Sequence, residues 1–263
     1  QMFPETKFGI AASHVMEAYR RASRVPSLEI LGIQAHIGSQ ITRVAPYVEA
    51  VRRLLGWVAR LEREGIRIQI VDIGGGLGIS YRDEAPPPPA DLAKALAPLL
   101  PRPRKVILLL EPGRSIAGDA GALLTRVLYL KTADLKNGRG HGKRFVIVDA
   151  GMNALIRPTL YDAWHEILPA RRRPGPRRPA DVVGPICETG DIFARHRLLP
   201  PVEAGDCLAV MQAGAYGFVM ASNYNSHGRP AEVLVDGARF EVVRARESVR
   251  DLLRGERIPA ALN

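Results

Sequence analysis

The 263-residue chain is 46% hydrophobic and 24% charged, the composition of a folded protein of one large or two modest domains, which excludes disorder and collagen-like structure. Its longest aliphatic run, Val106 to Leu110, is far short of the roughly 18 residues that suggest a membrane span, and no basic-then-apolar signal follows Gln1, so no membrane partner is expected. The net charge of +10, from 37 basic against 27 acidic residues, suits an anionic substrate, a nucleic acid or a basic proteome background.

In chain order, residues 30–37 (ILGIQAHI) read as a buried strand, and residues 47–63 space apolar side chains helically, with Gly65 as the stop. Residues 67–73 form the next strand and run into the glycine-rich turn 74–78 (GGGLG). Pro86 to Pro89 stiffen a loop before a helical pattern over 90–100, and residues 105–110 form a strand ending at Glu111-Pro112-Gly113-Arg114. Strand, helix, strand, helix, strand with short loops predicts a parallel sheet, open or closed. Beyond residue 118 the pattern changes to strands over 123–131, 144–149, 180–183, 206–212, 231–235 and 239–243, joined by Gly, Pro and Asn turns, with a helical pattern over 247–254. The expected organisation is therefore an α/β domain over 1–118 and a mostly antiparallel β domain over 119–263. Arg171, Arg172, Arg173, Arg177 and Arg178 read as a solvated loop broken by Pro and Gly. No aromatic residues interleave with them as a stacking platform requires, so no nucleic-acid partner is expected.

In parallel α/β folds, ligands sit beyond the carboxyl ends of the strands. Three clusters fall there: His36-Ile37-Gly38-Ser39-Gln40, Gly74 to Gly78, and Glu111 to Arg114. Glycines after a strand let backbone N–H groups approach a phosphate, although a tight turn explains the same run, which lacks the dinucleotide spacing G-x-G-x-x-G. Glu111 ends an aliphatic strand, where a carboxylate needs a cation or a hydrogen-bond donor, and Arg114 can serve as its ion pair or bind a ligand. In the second half, Arg157-Pro158 with Tyr161, Cys187-Glu188-Thr189-Gly190-Asp191 and Gly214-Ala215-Tyr216 follow strands or glycines. Taken singly, Cys187 reads as a small buried hydrophobe, and Arg157 and Tyr161 as surface or packing residues. The two cysteines, Cys187 and Cys207, form neither a disulfide framework nor a zinc site; no metal is expected, and a reducing cytoplasmic setting fits.

Taken in order, these six motifs resemble the diaminopimelate decarboxylases, of the alanine racemase-like, fold-type III group of pyridoxal phosphate enzymes. The resemblance covers essentially the whole chain. It implies a (β/α)8 TIM barrel followed by a β domain, and decarboxylation of meso-2,6-diaminopimelate to L-lysine, the last step of lysine biosynthesis. It further implies that Gly75, Gly76 and the backbone of Glu111, Gly113 and Arg114 cradle the phosphate of pyridoxal 5'-phosphate with Ser39 and Tyr216. Glu111 then faces the pyridine nitrogen and His36 stacks on the ring. Arg114, Arg157, Tyr161 and Tyr216 match the substrate contacts, Glu188 the acid that meets the distal ammonium, and Cys187 the thiol that protonates the carbanion. In the family the thiol comes from a neighbouring subunit, which implies a homodimer with shared active sites.

Departures from the family pattern accompany the match. A barrel takes about 250 residues, whereas 118 precede the β domain here, so 1–118 is expected to be the C-terminal portion of the barrel. Lys7, Lys94, Lys105, Lys131, Lys136 and Lys143 all lie outside the family's Lys-Ala-Asn context for the lysine that anchors the cofactor. The chain is therefore expected to be N-terminally truncated and inactive in isolation. Ala154 stands where relatives often carry an acidic residue. Two other readings remain: a decarboxylase of ornithine or arginine type, which has no second carboxylate for Arg157 to hold, and a non-catalytic, lysine-less binding relative.

Overall fold

The computed structural model describes residues 7–100, 106–133 and 142–262, and the chain divides into two units, Gln1–Ile116 and Ala117–Asn263. In the first unit, α1 (Val15–Ala22), β1 (Gly32–Gln34), α2 (Ala45–Arg63), β2 (Ile70–Asp72), α3 (Pro89–Leu96) and β3 (Ile107–Leu109) follow one another, and the short α4 (Gly113–Ala117) comes after β3. The strands pair in parallel in the order β1-β2-β3, aligning Gly32 with Ile70 and Ile107, and Gln34 with Asp72 and Leu109. On α2, Tyr47, Val51, Leu54, Val58 and Leu61 recur every three or four residues and are buried, so one face of the helix packs on Ile33, Val71 and Ile73. Gly32 permits the closest strand contact, since a Cβ there would lie 2.6 Å from the Ile70 carbonyl oxygen.

The strands are shorter than the patterns over 30–37, 67–73 and 105–110 suggest. Single bonds extend the pairing beyond the ladders: Ala35 N–H donates to the Asp72 carbonyl at 2.9 Å, and Ile73 N–H to that of Leu109 at 3.1 Å. The helical pattern over 90–100 resolves into α3 and a 3-10 turn, Ala97–Leu99. Sequence patterning misses α1, whose Tyr19 hydroxyl donates to the Gly32 carbonyl at 2.8 Å and whose Arg20 forks onto Glu64. Lys105 and Lys136 lie outside the described residues.

The second unit contains β4 (Leu123–Thr132), β5 (Arg144–Val148), the one-turn α5 (Arg157–Tyr161), β6 (Ile167–Pro169), β7 (Arg178–Val183), β8 (Ile192–Leu199), β9 (Cys207–Val210), β10 (Glu232–Asp236), β11 (Arg239–Arg244) and the short α6 (Val249–Leu252). Six strands form a sheet in the order β6-β9-β4-β5-β7-β8, antiparallel at every step except β5 with β7; β10 and β11 make a separate hairpin. Val127, Val146, Val148, Val182, Leu199, Leu208 and Val210 fill the core with at most 1% exposure, as period-two alternation requires. Patterning misses β6 and β8, the latter because Arg195, His196 and Arg197 interrupt its apolar run and the backbone kinks at His196 (φ 47°). The arginine cluster is only partly a solvated loop: Arg173 pairs with Asp206 (2.9 Å) and Glu203 (3.0 Å), and Arg178 opens β7. The Arg229 guanidinium, helped by Asn223, holds the Glu247 carboxyl down at about 2 and ties the segment after β11 back to residue 229. No helix among the described residues is long and apolar enough to cross a membrane.

The register of β8 is directly testable, because Leu199 is 1% exposed and its neighbour Leu198 58%. Leu199→Ala should destabilise the chain by about 2–5 kcal/mol in urea unfolding, whereas Leu198→Ala should stay within about 0.5 kcal/mol of the parent. Equal effects would contradict the assigned register.

Candidate active site

In the first unit, the carboxyl ends of β1, β2 and β3 deliver His36, the glycine turn and Glu111 side by side. Glu111 N–H donates to the Gly74 carbonyl (2.9 Å), and Gly75 N–H donates to His36 Nδ1 (3.2 Å), which leaves the proton of a neutral His36 on Nε2. A Cβ on Gly75 would lie 2.1 Å from the Glu111 carbonyl oxygen, and one on Gly76 (φ 93°) 2.1 Å from that of Gly38. The turn is thus glycine because three chain segments meet there without room for side chains. The buried Tyr47 hydroxyl, its pKa pushed up to about 12 by desolvation, braces the turn by donating to the Gly75 carbonyl at 3.0 Å.

Two acids meet at this edge. Glu111 hydrogen-bonds the Asp72 side chain, and that bond, the Asp72 charge and desolvation together raise the Glu111 carboxyl above the ordinary glutamate range, while His36 opposes the shift. Asp72 also accepts the Gly74 N–H at 2.8 Å. A cation or N–H donor arriving beside Glu111 would relieve the pair. Arg114 reaches Ser39 Oγ through Nη2 (2.9 Å) and the Tyr81 hydroxyl through Nη1. Gln40, in the left-handed region (φ 56°), bonds both backbone groups of Ile79. Beside Gly113 the space is open: a Cβ there would meet nothing within 4 Å.

The second unit carries a distinct group. Arg157, 6% exposed, and Tyr161, 61% exposed, lie on α5, which Asp162 ends in the left-handed conformation (φ 51°). Arg157 Nη1 lies 2.9 Å from Nε2 of His165, which is fully buried, and His165 Nδ1 lies 2.7 Å from the Met211 carbonyl oxygen. The segment from Gly184 to Asp191 folds around Asp191, whose carboxylate accepts the N–H groups of Met152 (2.6 Å) and Ile186 (2.7 Å). Burial pushes the Asp191 carboxyl up, although those two donors favour its anion. Thr159 Oγ1 donates to the Gly190 carbonyl at 2.7 Å, which ties α5 to this loop. Cys187 is exposed, not the buried hydrophobe that its isolated position suggests, and of the two readings of Arg157, surface or packing, the structure shows the buried one. Glu188 accepts Gly190 N–H (3.0 Å) and the Tyr224 hydroxyl (3.4 Å). Tyr216 follows Gly214 and takes a positive φ of 58°. The structure thus gathers His36, Ser39, Gly75, Gly76, Glu111, Gly113 and Arg114 in one unit, and Arg157, Tyr161, Cys187, Glu188 and Tyr216 in the other.

Asp72, Tyr81, Thr159, His165 and Tyr224 escape sequence reasoning. Asp72 had a signal, an acid inside an otherwise apolar strand end, whereas Tyr81 and His165 lie in loops, Thr159 on the one-turn α5 and Tyr224 on a 3-10 turn, all too short for a periodic pattern.

Residues 15–214 match the family model described as pyridoxal-dependent decarboxylase, C-terminal sheet domain. The chain is 52% identical over 252 residues to the diaminopimelate decarboxylase of Pseudomonas aeruginosa, covering 96% of this chain and 59% of that protein. Among solved structures, the diaminopimelate decarboxylase of Helicobacter pylori complexed with L-lysine aligns with a TM-score of 0.86 and 39% identity, over 96% of this chain and 61% of that one. The diaminopimelate decarboxylase described from m. jannaschi aligns with a TM-score of 0.91 and 36% identity, over 99% and 60%. This chain therefore spans about three fifths of the length of these relatives. With three quarters of its residues matched by one family model and half of them identical to a relative, the chain belongs to the pyridoxal-dependent decarboxylases.

Proposed function

We propose that this chain is the part of a diaminopimelate decarboxylase that holds the pyridoxal 5'-phosphate ring and phosphate and the far end of the substrate. The observation that carries the reading is the Glu111–Asp72 carboxyl pair beside His36, an anionic strand-end edge suited to a protonated ring nitrogen. Open space at Gly113, next to Ser39 and Arg114, supports a phosphate site there, with Gly75 and Gly76 completing it by family match. Exposed Ile107 and Leu109 on β3 support continuation of the parallel sheet into a (β/α)8 barrel.

When bound, pyridoxal phosphate supplies an electron sink for the pair left behind by CO2. The protein's own residues do the rest. Glu111 would keep a proton on the ring nitrogen, and His36, beside it, would pack on the ring. Arg157 and Tyr161 hold the carboxylate that stays, Arg114 supports the same end, and Glu188 meets the distal ammonium. Cys187 holds a thiol proton for the carbon that has lost CO2, across an interface between two copies of the chain. The lysine seen with the Helicobacter pylori relative is the product this chemistry demands. An ornithine or arginine substrate has no second carboxylate and would leave the buried Arg157 without a ligand.

Glu111 gives a pH test. Its folded-state pKa is raised, so in the window just above the ordinary glutamate range the folded chain holds a proton that the unfolded chain has lost, and stability falls as pH rises through that window. Glu111→Gln should flatten that fall in thermal scans of the cofactor-free protein and weaken pyridoxal phosphate binding. An unchanged profile would remove the shared-proton pair.

In the complete enzyme, Arg157→Ala should cost about 2–5 kcal/mol in diaminopimelate binding and leave pyridoxal phosphate affinity nearly unchanged. The reverse pattern, measured by KM and cofactor titration, would reassign Arg157.

Cys187→Ser should keep both affinities while turnover drops by roughly 100-fold or more. Hybrid dimers pairing it with a variant of the cofactor-anchoring lysine should regain part of the activity, since one of their sites keeps both groups. Near-normal turnover of Cys187→Ser alone would exclude the thiol.

A further inference from the structure

His165 is buried to 0% exposure between α5 and β6, and it is the hydrogen-bond partner of Arg157. Its Nδ1 lies 2.7 Å from the Met211 carbonyl oxygen, which can only accept, so Nδ1 must carry a proton. Its Nε2 lies 2.9 Å from Arg157 Nη1, and a guanidinium can only donate, so Nε2 must be bare. Both contacts together admit one species, the neutral imidazole with its proton on Nδ1. The acceptor is set by sheet register: Met211 follows β9, whose Val210 pairs with Ile167 of β6, and Met211 N–H donates to the Glu166 carbonyl at 2.8 Å. From the other side, Arg197 of β8 donates Nη1 to the His165 carbonyl at 2.6 Å and lies 3.4 Å from the Trp164 ring centroid. Positive charge therefore faces His165 from α5 and from β8.

We infer that His165 is a positioning residue for Arg157: a neutral acceptor that aligns the guanidinium toward a substrate carboxylate without itself setting a negative charge against it. The inference rests on the reading of Arg157 as the carboxylate's partner and assigns the group that prepares it. An aspartate in the same place would also align Arg157, but it would cancel the charge that a dicarboxylate substrate needs. A neutral imidazole does the first without the second. It also reduces the number of guanidinium orientations that must be lost when substrate arrives, which favours substrate affinity over the chemical step.

The test compares His165→Gln, His165→Asn and His165→Leu in the complete enzyme. The Gln carbonyl can stand in for Nε2 as acceptor; Asn is too short to reach beyond the Nδ1 position, and Leu offers no acceptor. The Asn and Leu variants should raise KM for diaminopimelate roughly 10-fold or more, the scale of a hydrogen bond to a charged group, with pyridoxal phosphate affinity retained and kcat changed less than KM. The Gln variant should stay close to the parent. In an Arg157→Ala background, the difference between Gln and Leu should vanish. Were Gln as damaging as Leu, or were the difference to persist without Arg157, His165 would be a packing residue only. If Arg157→Ala itself left KM unchanged, the substrate reading of Arg157 would fail, while the tautomer remains open to a separate measurement. For that, selective 15N labelling of the histidines should show His165 protonated at Nδ1 and bare at Nε2, a readout that survives even if the Leu variant does not fold. Protonation at Nε2 would overturn the positioning role outright.

Discussion

A single buried carboxylate, Asp191, anchors the candidate site residues of the second unit. Its two oxygens take the N–H groups of Met152 and Ile186, residues that come from different loops, and its own N–H donates to the Glu188 carbonyl at 3.0 Å. Loops can be joined this way only where their backbones approach closely. Gly151 and Gly184 supply that approach: a Cβ on Gly184 would lie 2.3 Å from the Asp191 carboxylate, and one on Gly151 2.6 Å from the Ile186 side chain. Burial works against the Asp191 charge while the donors work for it, so the bridge is held by hydrogen bonds and not by an ion pair. With the loop fixed, Cys187 and Glu188 stand exposed at its turn, and Thr159 couples the loop to the helix that carries Arg157 and Tyr161.

The first unit reaches the same end by another route. Parallel pairing of three short strands brings their carboxyl ends to one edge, so residues far apart in sequence become neighbours with little loop structure between them. The glycine turn is bare because Glu111 and Gly38 press on it, and this crowding is also what sets Glu111 beside Asp72. One packing constraint thus produces both the absence of side chains and the concentration of negative charge.

How much of this could be read in advance follows from what each signal measures. Hydrophobic period finds elements with one wet and one dry face, and it finds α2 to within two residues because Val51, Leu54, Val58 and Leu61 repeat at helical spacing. It misses β8, where Arg197 is buried against Trp164 by stacking, so the charge that argues for solvent is in fact in the core. The same blindness hides the burial of Arg157. Motif resemblance picks out candidate site residues one by one, because it depends on residue identity and not on environment. It could not find their supports: Tyr81 reaches Arg114 across 33 positions, and Met211 reaches His165 across 46. Such contacts are set by sheet register, which no local pattern contains.

The contrast between the two units is electrostatic. At the strand ends of the first, two acids lie side by side, and the repulsion that raises the Glu111 carboxyl is a standing preference for an incoming positive group. Around His165 in the second, Arg157 and Arg197 bracket the Trp164-His165 pair, and the hydrogen-bond acceptors that meet their Nη1 atoms are a neutral imidazole and a backbone carbonyl. Neutral acceptors fix the direction of a guanidinium without themselves opposing its charge. A neutral acceptor thus orients each guanidinium without itself opposing its charge, the condition under which alignment adds to the binding energy offered to a ligand.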